Sequence, residues 1–183
     1  MVPGPFRRLP PNRQRLQAIL SMDFIWSPWR YDYLASSGGK PSSCVFCLND
    51  DRSHDAARLI VFRGNHNFII LNLFPYTSGH VMVAPYEHLA TLAAAKADQM
   101  SELMLLAQRA LGALQALYRP EGFNLGMNLG TAAGAGIREH FHLHVVPRWA
   151  GDANFMTITG ETRVLPEDLQ KTYERLKAEL ARS

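Results

Sequence analysis

The stretch HFHLHVV, residues 140–146, constrains the fold of this chain more than any other. Side chains alternate between the two faces of a β-strand, so His140, His142 and His144 fall on one face. Phe141, Leu143 and Val145 take the other face and anchor the strand in a core. Imidazoles clustered in this way suit two kinds of chemistry. They can ligate a metal through neutral nitrogens. They can also work near neutral pH, with one ring attacking while a neighbour donates a proton or a hydrogen bond. A solvated polar strand face is the competing reading, although Thr, Lys or Glu would be more usual there.

The rest of the chain supplies a sheet and two helices. ARLIVFRG and HNFIILNLFP read as paired strands joined by a turn at RGNHN. PYTSG is a turn, and HVMVAP is a buried strand closed by Pro85. Asp98 is expected to cap a helix running to about Tyr118, with Leu103, Leu106, Ala110, Leu114 and Leu117 as its apolar stripe and Pro120 as its stop. GFNLGMNLG reads as a strand whose glycines mark a close backbone approach. Pro166, Glu167 and Asp168 open a terminal helix to about Arg182. The order of strands, helix, strands, helix gives an α+β class: an antiparallel sheet with helices on one face.

Composition narrows the function classes. The 183 residues suit a single domain, expected over residues 22–183, and no apolar run is long enough to cross a bilayer. The net charge of +3 hints at nucleic acid, but Arg7, Arg8, Arg13 and Arg15 precede the first acidic residue; removing those four leaves −1. The body has no basic excess, so neither a nucleic acid nor a membrane is expected as partner. Residues 1–21, rich in Pro and Arg, are expected to be a disordered extension without the pattern of a secretory signal. Trp26, Trp29 and Trp149 read as core or interface aromatics, with base stacking as the competing use.

Two further features carry chemistry. Gly130, Gly134 and Gly136 form a Cβ-poor loop leading into the histidine strand. Such a loop can present backbone N–H groups to phosphate, though a plain turn would look similar and no G-K-[ST] follows to make it a P-loop. Cys44 and Cys47, the only cysteines, have a spacing that can chelate one metal ion but supply half of a tetrahedral site. A thiol redox pair or two buried cysteines are the other readings. Reduced thiols point to a cytoplasmic protein.

With these residues in place, the chain resembles the histidine triad family, whose signature is His-φ-His-φ-His-φ-φ with φ apolar. The resemblance extends to FIILNLFPYTSGHVMVAPYEH, GFNLGMNLGTAAGAG and PRWAGDANF, covers about residues 22–175, and is closest to a bacterial branch of diadenosine tetraphosphate phosphorylases and hydrolases. It implies an α+β fold whose sheet continues across a homodimer. It also implies that His142 attacks the α-phosphate of an adenine nucleotide or dinucleoside polyphosphate, that His144 bonds the reacting phosphate or leaving oxygen, and that His80 stands beside the triad. Asn72 would meet ribose, and Asn128 the phosphates, with Gly134, Gly136 and Ile137 supplying the loop contacts. In zinc-containing members the ligands match Cys44, Cys47, His88 and His140, a structural site. Many hydrolases of the family carry Gln in the loop before the triad, whereas this chain reads AGAGIREH, which favours inorganic phosphate over water as acceptor. A catalytically silent nucleotide-binding or zinc-stabilised module is the reading of another class. A catalytic metal held by the three histidines themselves is a further one.

Overall fold

The protein is described by a computed structural model covering residues 44–48, 51–152 and 167–182. The expected extension 1–21, Trp26, Trp29 and Pro166 lie outside the described residues. Five antiparallel strands, β1 (Ile60–Arg63), β2 (Asn67–Leu71), β3 (Val81–Pro85), β4 (Gly122–Gly126) and β5 (Leu143–Arg148), form one sheet in the order β1-β2-β3-β5-β4. Helices α1 (Ala97–Tyr118) and α2 (Leu169–Leu180) pack on one face of it.

Strand alternation sorts the side chains between the faces. Ile69 and Leu71 join Val81, Val83, Phe141, Leu143 and Val145 beneath the helices, where α1 contributes Leu103, Leu106, Ala110 and Leu114. Phe68 and Ile70 turn to the opposite face with Ile60, Met82, Ala84 and Phe46. Full burial of side chains of this size stabilises the fold by about 1.5–3 kcal/mol each. His144 is paired with Met82 across β3 and β5, so the histidines face away from the helices. The hydrogen-bonded ladder starts at Leu143, which leaves His140 and His142 just ahead of β5.

Three local expectations are corrected. Helix α1 starts at Ala97 with Lys96 at the cap position; the Lys96 N–H donates to Oε1 of Gln99 at 2.8 Å, and Asp98 sits in the first turn, where its charge suits the helix dipole. Strand β4 ends at Gly126 rather than continuing through Met127–Gly130. A Cβ at Gly122 or Gly126 would meet nothing within 4 Å, so no close approach explains those glycines. The terminal helix, by contrast, is capped as expected near Asp168, whose carboxylate accepts from Lys171 N–H at 2.9 Å.

The β1–β2 turn is anchored from a distance. Glu102, on α1, accepts the backbone N–H groups of Asn65, His66 and Asn67 at 2.7, 2.6 and 2.8 Å. A Cβ on Gly64 would lie 2.9 Å from both Asn67 O and Glu102 Oε1, so only glycine fits beneath the carboxylate. Glu167 joins the helices in the same manner, binding Tyr118 Oη at 2.5 Å and Arg175 at 2.7 Å.

Candidate active site

Each histidine on the open face is held by a different partner. His80, just before β3, is fully buried. It is brought there by Gly79, whose φ of +79° and whose close approach to Leu114 (2.8 Å from where a Cβ would be) both require glycine. The Tyr76 N–H donates to His80 Nδ1 at 3.1 Å, so the ring carries its proton on Nε2. That Nε2–H donates to His144 Nδ1 at 3.0 Å. His144 in turn must carry its proton on Nε2. Burial first, and then the neighbouring His144 and His142, push His80 down to about pKa 3. It is neutral at any physiological pH and acts as a fixed hydrogen-bond donor.

His142 has the complementary arrangement. Its Nδ1–H donates to the His140 carbonyl at 3.0 Å, which leaves Nε2 with a free lone pair. Burial pulls its pKa below the usual histidine value, although the bond to His140 opposes this, so the ring is neutral and nucleophilic. The His142 and His144 ring centroids are 4.9 Å apart at 72°. Side by side stand a nucleophilic nitrogen and an N–H donor.

Both rings line a cleft of about 450 Å³ with Asn72, Asn128, Gly136 and Ile137. A second cleft of about 330 Å³, lined by Asn124 and Arg148 among others, shares Tyr76, Asn128 and His144 with the first. Asn72 also closes a local turn, its Oδ1 accepting Phe74 N–H at 3.0 Å. Gly134 is not among the residues of either cleft, and its N–H donates to Thr131 O at 2.9 Å. Half-buried Trp149 also lies outside both clefts.

The cysteines meet two histidines. Cys44, Cys47, His88 and His140 place their ligand atoms within 4.8 Å of one another. Cys47 Sγ is 3.2 Å from His88 Nδ1 and 3.8 Å from His140 Nδ1, and Cys44 Sγ is 3.5 Å from His140 Nδ1. A tetrahedral zinc bound by sulfur and nitrogen separates its donors by roughly 3.3–3.8 Å, so the cluster fits one. His140 Nε2–H donates to Pro85 O at 2.8 Å, the outer-shell bond that aims a ligating Nδ1. Burial and then the adjacent Cys44 push the Cys47 thiol up, so a pair of thiolates here needs a cation. Among the described residues the three triad histidines do not converge on one point, and no metal cluster forms from them.

Comparison with known proteins agrees with this geometry. The model of the HIT domain matches residues 54–151. The chain is 40% identical to an AP-4-A phosphorylase of Mycobacterium tuberculosis over 86% of this chain and 84% of that protein. A zinc-bound histidine triad family protein from Mycobacterium smegmatis superposes with a TM-score of 0.59 at 28% identity, covering 76% of this chain and 94% of that one. A diadenosine triphosphate hydrolase of Plasmodium falciparum, at 13% identity, shares the fold, with a TM-score of 0.56 over 84% of this chain and 95% of that one.

Proposed function

The chain belongs to the HIT domain family, and on that premise we propose that it is a nucleotidyl transferase that cleaves dinucleoside polyphosphates of the diadenosine tetraphosphate type. The supporting observation is the pair of opposed tautomers: His142 with a bare Nε2, held by the His140 carbonyl, beside His144 with a protonated Nε2, held by His80.

His142 Nε2 attacks the α-phosphorus, an N–P bond forms, and the bridging P–O bond breaks. The departing ATP oxygen takes a hydrogen bond or proton from His144 Nε2–H, and an adenylyl group remains on His142. Inorganic phosphate then attacks the same phosphorus, the N–P bond breaks, and ADP leaves. Asn72 contacts the ribose and Asn128 the phosphates, with Gly136 and Ile137 lining the phosphate loop and Gly134 shaping its turn from outside the cleft. The departing half occupies the second cleft beside Arg148, whose guanidinium is oriented by its ion pair with Asp152 on the same wall.

Cys44, Cys47, His88 and His140 hold a structural zinc that ties the segment before β1 to the sheet. The outer edge of β4, unpaired among the described residues, with exposed Leu125 on the strand and exposed Leu129 just beyond it, is the seam of a homodimer whose sheets join. Among the described residues no helix is long and apolar enough to cross a membrane; the two free cysteines and the proposed nucleotide substrate support a cytoplasmic reading. Transfer to water is the second reading, disfavoured by the Gln-free loop AGAGIREH.

Diadenosine tetraphosphate incubated with and without inorganic phosphate tests this. ATP plus ADP formed only with phosphate is the expected result. ATP plus AMP, or paired ADP, formed without phosphate would make the protein a hydrolase, and no turnover in either condition would reject the substrate.

A further inference from the structure

Phe46 stands between the two cysteines and has no part in the chemistry above. It is 2% exposed and packs with Phe68, Ile70 and Met82 on the histidine face of the sheet. Its ring centroid lies 4.8 Å from that of His142 and 5.4 Å from that of His140. Among the described residues, segment 44–48 makes one backbone hydrogen bond, and that one is internal, from Cys47 N to Cys44 O at 3.1 Å. Among the described residues, side chains therefore hold the segment to the sheet: Phe46 in the core, and the two cysteines against His88 and His140.

His140 belongs to both arrangements. Its ring faces the cysteines, while its carbonyl holds Nδ1–H of His142. One hydrogen bond leaves an imidazole free to pivot about that bond; besides the edge contact of His144, the tilted ring of Phe46 packed against His142 limits that freedom. A nucleophile attacking phosphorus needs its lone pair aimed within a narrow cone.

We propose that Phe46 is a positioning residue for His142, and that the Cys44–Cys47–His88–His140 cluster, loaded with a metal ion, is the clip that seats it. The clip draws CVFC onto the sheet, Phe46 packs at a tilt against the His142 ring, and Nε2 is left facing the cleft. This rests on the reading of His142 as nucleophile. Phe46 also lines the cleft. A role limited to contacting the nucleobase is therefore the rival the test must separate.

The test compares the zinc-loaded protein, the same protein stripped by a chelator, Phe46→Ala and Phe46→Leu. Nitrogen-15 spectra of the histidine rings, with the His142 signals identified by their loss in His142→Asn, report the tautomer and order of that ring without substrate. Calorimetry with AMP reports nucleotide affinity, and steady-state phosphorolysis gives kcat and KM. We expect the loaded protein to show His142 as a single Nδ1-protonated tautomer. Phe46→Ala and the stripped protein should both show averaged signals, and Phe46→Leu should recover most of the loaded pattern. In Phe46→Ala, kcat should fall by about tenfold or more while AMP affinity changes less than about threefold. Stripping the metal from Phe46→Ala should change the His142 signals little further.

Unchanged His142 signals in Phe46→Ala would overturn the proposal. So would a loss confined to AMP affinity and KM with kcat intact, which marks a base contact only. If Phe46→Ala does not fold, Phe46→Leu and the stripped wild-type protein decide the matter by the same signals. An inactive wild-type protein defeats the transfer reading alone, because the spectra need no substrate.

Discussion

His80 donates its Nε2–H to Nδ1 of His144 at 3.0 Å, and this one bond dictates which nitrogen of His144 faces the cleft with a proton. The donor is itself fixed, because its Nδ1 already accepts the Tyr76 N–H. Replacing His80 with Leu removes the donor and frees His144 to take the other tautomer. We expect kcat to fall by about 10–100-fold with KM changed far less, since the bond to the leaving oxygen matters most in the transition state. His80→Gln, which keeps an N–H donor, should recover part of the loss. Equal losses in the two variants would show that His80 acts through packing.

Removing the metal ligands should unfasten the first segment while leaving the sheet folded. We expect the protein purified with zinc to hold about one ion per chain, and Cys44→Ser or Cys47→Ser to lose it. Structural zinc sites bind with apparent free energies of about 10 kcal/mol or more near neutral pH, so stripping should lower the melting temperature measurably. Zinc content by plasma emission with a parallel melting curve checks this. Full occupancy in the Cys44→Ser protein would contradict the assigned ligand set.

Arg148 joins the end of β5 to its neighbours, with Nε on Asp152 Oδ2 at 2.5 Å and Nη1 on Asn124 Oδ1 at 2.6 Å. If the departing half of the substrate lies beside it, Arg148→Ala should raise KM for diadenosine tetraphosphate by about tenfold. Adenosine phosphoramidate, whose leaving group is small, should be turned over as before. Parallel kinetics on the two substrates check this, and equal effects on both would place the departing polyphosphate elsewhere.

Glu102 gives a pH dependence of stability. Burial alone would raise its pKa, but the N–H groups of Asn65, His66 and Asn67 together hold it below the usual glutamate value. A depressed folded-state pKa means the carboxylate stabilises the native state above the unfolded pKa, and that this contribution is lost as pH falls through the folded one. Glu102→Gln should therefore cost about 1 kcal/mol at neutral pH and progressively less in acid. Urea unfolding from pH 7 down to pH 3 reads the difference. A gap between the two proteins that stays constant with pH would contradict this.

The alternation of HFHLHVV made both the sheet and its open face legible, because burial on one side of a strand leaves few options for the other. The apolar stripe of α1 was legible for the same reason. The turn anchor was not. Glu102 lies 35–37 residues from the amides it binds, and nothing in SELM distinguishes it from a solvated helix carboxylate. The tautomers were equally hidden, since they depend on the His140 carbonyl and the Tyr76 amide N–H, backbone groups that every residue but proline carries. Asp98 looked like the better cap by residue type, yet the reach of Gln99 back to Lys96 fixed the cap two residues earlier. The Cys-x-x-Cys pair showed half of a metal site from its spacing alone. Resemblance named His88 and His140, and the fold brings both to it across 41 and 93 residues from Cys47.

The central claim is that His142 carries the nucleotide. Protein mixed rapidly with radiolabelled diadenosine tetraphosphate in the absence of phosphate, then quenched in alkali and digested, tests it most directly. The expected result is an adenylylated, acid-labile peptide containing EHFHLHVVPR with the label on His142, discharged to ADP when phosphate is added before the quench. Full turnover with no labelled peptide, or a label retained in His142→Asn, would contradict it.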